Sequence, residues 1–132
     1  MAIPTPDARQ IQQTIAGLVS AAVTNDEWDV LDSMPDKVRN RTIAVDFPDF
    51  TFDDNPADAT MQVVAFVAPT AGTDRAQERL AEILQTLIPA LASKTGTGVC
   101  ATRVLATQAL TREEIAAYGY WGARLILRIN LT

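Results

Sequence analysis

The sequence predicts an α+β domain: a mainly antiparallel four-stranded sheet with two principal helices packed on one face, in the order α-β-β-α-β-β. Three observations support this. Two segments repeat apolar residues every three or four positions, as amphipathic helices do. Four segments carry strand patterning, alternating or apolar on both faces. The strand segments fall in adjacent pairs rather than alternating with helices, which favours antiparallel pairing. With 132 residues, 48% of them hydrophobic, the chain is long enough for one core and reads as a single domain over residues 1–132.

The first helix is signalled by Thr5 as N-cap, Pro6 at the first helical position and Asp7 near the positive helix end. Ile11, Ile15, Leu18, Val19 and Ala22 form its apolar stripe, with Gln12, Gln13 and Ser20 away from it, and the helix is expected to end near Val23 or Thr24. Residues 25–41 lack a period and read as a long loop that pins Trp28 and Leu31 onto the core. Residues 42–47 alternate as a strand that Pro48 ends or confines to an edge. A loop with the turn chemistry of Asp53, Asp54, Asn55 and Pro56 follows. The next strand, residues 61–68, is apolar on both faces and so is expected to be covered on both.

The second helix is predicted from Thr73 or Asp74. Asp74 and Gln77 resemble a capping box, and Ala76, Leu80, Ile83, Leu84, Leu87, Ile88 and Leu91 give the strongest amphipathic stripe. Arg75 with Glu78, and Arg79 with Glu82, are placed to pair on its wet side. Pro89 predicts a kink or a broken last turn, and Lys94 and Gly96 supply stop signals. Residues 99–109 read as a third strand. Thr111 and Glu114 form a capping box for a short helical turn over 112–117. In the last strand Trp121, Ala123, Leu125, Leu127, Ile129 and Leu131 face one way, and Gly122, Arg124, Ile126, Arg128 and Asn130 the other.

The chemistry-bearing residues are few. The sequence contains no histidine, which removes the usual general base and the commonest metal ligand. Cys100 is the only cysteine, so no intrachain disulfide can form, and it reads as a small buried hydrophobe. Gly96-Thr-Gly98 is too short for a dinucleotide-binding fingerprint. The loop starting at Asp53 fails as a calcium loop, because Ala57 stands at a ligand position and Val64 at the twelfth. Adjacent Glu113 and Glu114 diverge on a helix rather than converge. No catalytic residue, cofactor site or metal site is therefore expected, and the chain is read as a non-enzyme. No signal peptide and no membrane span are expected either.

Charge is more informative. The net charge is −5, which argues against gripping phosphate. Residues 26–58 hold ten acids against three bases, a net of −7, leaving +2 for the rest. Such segregation fits loop solubility, or an acidic surface facing a basic partner or passing DNA that must not be held. Tyr118, Tyr120 and Trp121 beside Arg124 and Arg128 are residue types found at interface hot spots, and the same group fits core packing at the entrance to the last strand.

The order of these elements resembles the tail terminator and minor tail protein family of long-tailed (siphovirus) phages. The resemblance rests on the N-terminal helix, on TIAVDF at 42–47, MQVVAFV at 61–67 and DRAQERLAEIL at 74–84, and on YGYWGARLIL at 118–127. It implies a virion structural protein at the head-proximal end of the tail, made in the host cytoplasm. Such a protein forms a homo-oligomeric ring, a hexamer in this family. It caps the tail tube protein, stops polymerisation and meets a head connector protein, while DNA passes through without specific binding. On that reading Tyr118, Tyr120, Trp121, Arg124 and Arg128 are candidates for the ring interface. Asp46, Asp49, Asp53, Asp54 and Asp58 are candidates for an acidic lumen. Another head-to-tail connector (neck or stopper) shares the size and the ring logic. A monomeric adaptor domain that binds one host partner is the alternative from a different class.

Overall fold

The structure, a computed structural model, describes residues 7–23, 27–51, 58–68, 73–99 and 101–131. Over these described residues it is α+β, with three helices and a six-stranded mixed sheet. In chain order these are α1 (Ala8–Ala22), β1 (Asp29–Leu31), β2 (Thr42–Val45), β3 (Asp49–Thr51), β4 (Asp58–Val67), α2 (Thr73–Leu91), β5 (Ala101–Ala109), α3 (Arg112–Tyr118) and β6 (Trp121–Asn130). The sheet runs β1-β2-β4-β6-β5, and β3 pairs with the first residues of β4 beside β2. All pairs are antiparallel except β1 with β2.

This corrects the four-stranded expectation twice. Residues 29–31 form a short strand rather than loop, running parallel to β2 with Asp29 opposite Thr42. A parallel neighbour needs a crossover, and residues 32–41 supply it by crossing the face away from α1 and α2, where Met34 and Val38 pack. Leu31 joins them there, whereas Trp28 packs on the opposite side with the main core. Arg41, with φ 56°, turns the chain into β2, and the Asn40 side-chain oxygen accepts the Ala68 N–H at 2.8 Å.

The second correction is β3. The strand predicted over 42–47 stops at Val45, and after a one-residue excess the chain pairs with β4 again. Val45 opposes Val63 and Asp49 opposes Thr60. Three residues therefore face two, as at a β-bulge. Pro48 has no N–H to give to a ladder, which is why the interruption falls there. Phe47 is left 58% exposed.

The two long helices cover one face, as expected. Ile11, Ile15, Ala16 and Val19 of α1 and Ala76, Leu80, Ile83, Leu87 and Leu91 of α2 pack on Ile43, Val45, Met61, Val63, Leu125, Leu127 and Ile129. Asp7, not Thr5, caps α1, its side chain accepting the Gln10 N–H; Thr5 and Pro6 lie outside the described residues. Gln12, expected on the wet side, is buried because its amide donates to the Val45 carbonyl at 3.4 Å and accepts from Arg9 at 2.8 Å. Helix α2 continues through Pro89 to Leu91 without a break. Arg75 and Glu78 pair at 3.7 Å. Cys100 lies outside the described residues.

A second, smaller cluster forms on the opposite face: Val38, Ala44, Val64, Phe66 and Leu110, with Ile115 and Tyr120 against them. The doubly apolar β4 is thus covered on both sides at its C-terminal end, as its sequence requires.

Candidate interaction surfaces of the sheet

Helix α3 closes one end of the outer face, and local chemistry builds it. Thr111 Oγ1 accepts the Glu114 N–H while the Glu114 carboxylate accepts the Thr111 N–H, a complete capping box. Gly119, at φ 77°, ends the helix in the left-handed region. The same Glu114 carboxylate takes a hydrogen bond and ion pair from Arg124 of β6. That guanidinium, helped by the Thr111 backbone, holds the Glu114 carboxyl below the usual glutamate range. A lowered carboxyl pKa gives stability that is fully present above the ordinary glutamate value near 4.5 and is lost as pH falls through the folded value. Acidification below about pH 4.5 is therefore expected to loosen α3. Protection factors of its amides, corrected for the intrinsic rate at each pH, should fall in the native chain below that pH, whereas in Glu114→Gln that acid-dependent fall should be gone.

The residues predicted as an interface do not form one surface. Tyr118 is 38% exposed and meets the buried Phe66 ring edge-on, with centroids 5.2 Å apart. Tyr120 packs half-buried on the outer cluster, but Trp121 packs half-buried on the main core across the sheet. Arg124 is held inside by Glu114, its side chain only 15% exposed. Arg128 alone lies on the open part of the outer face, paired with Asp58 at 2.5 Å.

The acidic candidates separate as well. Asp58 sits on β4 and is neutralised by Arg128. Asp46 accepts the Phe47 N–H at 2.8 Å, and Asp49 is exposed on β3. Asp53 and Asp54 lie outside the described residues.

Below α3 no described element covers the outer face, and there the strand registers arrange charge in a row. Asp49 of β3 opposes Thr60 of β4, Thr60 opposes Arg128 of β6, and Arg128 opposes Arg103 of β5. Directly opposed residues share a face, so this row runs from an acid at one edge to two arginines at the other. A shallow cleft of about 460 Å³ opens at the arginine end, lined by Asp58, Ser93, Thr102, Arg103, Arg128 and Asn130. Arg103 was not singled out in the sequence, because its place in the row depends on three registers that no local pattern encodes.

The β5 margin has its own irregularity. Val104 opposes Leu127 and Ala106 opposes Ile126, so Leu105 is an extra, bulged residue, 48% exposed. Among the described residues no group of three or more His, Cys, Asp or Glu is placed to hold a metal ion. Among the same residues no helix is long and apolar enough to cross a membrane. No protein-family model matches the chain, and no curated protein matches it.

Proposed function

We propose that this protein is a virion structural component that works by self-association: it caps the tail tube of a long-tailed phage, stops its polymerisation and helps join tail to head. The observation that carries the reading is the shape of the sheet. One face is filled by α1 and α2, the lower half of the other is open among the described residues, and its two margins differ in chemistry. Unlike margins on one subunit suit a heterologous contact, which closes into a ring when the rotation per copy divides a full turn. The absence of histidine and the sequence resemblance at 42–47, 61–67, 74–84 and 118–127 to tail terminators support the same reading.

Within this proposal Asp46 remains a lumen candidate on the described residues, whereas Asp49 lies on a margin of the sheet, in a row with arginines. Asp58 contributes no uncompensated charge, because Arg128 answers it. The row of Asp49, Arg128 and Arg103, together with Asp58 paired to Arg128 beside it, is balanced overall, so passing phosphate would meet no net attraction from it.

The test is addition of the purified protein to polymerising tail tubes. The expected result is tubes of arrested length, with the protein at one end by electron microscopy. Tubes that keep growing at an unchanged rate, with no protein at their ends, would overturn the reading.

A further inference from the structure

We infer that a second copy of this chain adds edge to edge, with β5 lying antiparallel to the β2–β3 margin of its neighbour, Arg103 opposite Asp49 and Leu105 opposite Phe47. This rests on the self-association proposed above and names the surfaces that carry it.

The first observation is an edge that carries no further strand among the described residues. β5 ends the sheet, and seven of its nine residues are exposed. An exposed edge of that length invites another strand; β5 contains neither lysine nor proline, and its protection is limited to Arg103 and the Leu105 bulge. The Thr102 carbonyl already accepts the Ser93 N–H at 3.0 Å, so the free stretch begins beyond it. On the far side β1 covers only residues 42–44 of β2. The margin formed by residues 45–51 has no strand beside it among the described residues.

The second observation is direction. β3 runs antiparallel to β4, β4 to β6 and β6 to β5. β3 and β5 of one chain therefore run oppositely. A neighbour carried round an axis without inversion presents its β3 antiparallel to this β5, the geometry that a short edge contact prefers.

The third observation fixes the register. Continuing the charged row from one copy into the next sets Arg103 across from Asp49. In an antiparallel pair the residue numbers then run in opposite senses, so Leu105 falls across from Phe47. These are two of the most exposed large apolar side chains of the described residues, at 48% and 58%, and each sits at an irregularity of its own edge. One register thus answers both a charge pair and an apolar pair. It also relieves Arg103, whose direct in-chain neighbour is the like-charged Arg128. Pro48 and the Leu105 bulge limit backbone pairing at the centre of the contact, so side chains carry most of it.

The experiment places the photo-crosslinker benzoylphenylalanine at Leu105, an exposed position, in the full chain at high concentration. The expected product is a covalent dimer whose cross-linked peptide contains residues 45–51 of the second copy. Arg103→Asp and Asp49→Arg should each lower the yield roughly threefold to tenfold, and combining both in one chain should restore it. Cross-links to other segments, no dimer at any concentration, or a double reversal no better than the singles would overturn the inference. Adding tail tubes separates the two proposals. Capped tubes with cross-links elsewhere sink only the edge contact, whereas the predicted cross-link without capping sinks only the tail role.

Discussion

Phe66→Ala is expected to destabilise the protein by about 3–5 kcal/mol, the usual cost of emptying a buried aromatic site. The ring is fully buried on β4, among Ala44, Val64 and Leu110 beneath α3, with Tyr118 edge-on against it. The surrounding backbone resists collapse into the space: Ala44 and Val64 are fixed by the sheet, and α3 is held at its other end by Arg124. Removal also takes away the aromatic contact that seats the short helix. Urea titration should show a lower midpoint. A loss under about 1 kcal/mol would mean that the outer cluster is not packed as described.

Gly122→Ala is the second large effect, and its cause is crowding. A Cβ at this position would lie 2.5 Å from Leu110 Cδ1 and 2.8 Å from the Ala65 carbonyl oxygen. The leucine methyl can rotate aside. The carbonyl cannot, because Ala65 opposes both Ile43 and Ala123 in the middle of the sheet. The substitution must therefore displace β6 from β4, at an expected cost of about 1–3 kcal/mol. A Leu110→Ala partner should not rescue it, since the carbonyl clash remains. Thermal melting of both singles and the double checks this: Gly122→Ala should lower the midpoint in the Leu110→Ala background too, and no further loss there would show that the leucine alone set the limit.

The parts of the fold that were legible are those in which one short window holds the whole cause. β6 alternates strictly, and its inner residues Leu125, Leu127 and Ile129 are all buried. The Thr111–Glu114 capping box is local chemistry and forms as read. The doubly apolar segment of β4 announced cover on both faces, and both covers exist. The missed parts have causes at a distance. β1 is three residues long, too short for a period to declare itself, and exists because β2 offers it an edge. β3 was hidden by Pro48, which reads as a stop although the chain resumes pairing one residue out of step. Gln12 looked solvent-facing because its partner, the Val45 carbonyl, is 33 residues away.

The candidate surfaces follow the same logic. Composition alone grouped Tyr118, Tyr120 and Trp121, but the consecutive pair Tyr120 and Trp121 necessarily points to opposite faces as the chain enters a strand. Conversely, Arg103 and Asp49 are 54 positions apart and share a row only through β4 and β6.

The central ladder also governs how fast the protein reaches its native state. β4 and β6 make ten consecutive pairings, from Asp58 with Asn130 to Val67 with Trp121, and every one joins residues more than fifty positions apart. The entropy of closing so long a loop must be met before any of those pairings returns enthalpy. The intervening segment contains α2, which forms on its own timescale and shortens the search, but the two strands still have to meet. Refolding on the order of milliseconds to seconds is the regime for such non-local topology. During that interval unpaired β4, apolar on both sides, is the stretch most exposed to premature encounter with another nascent chain.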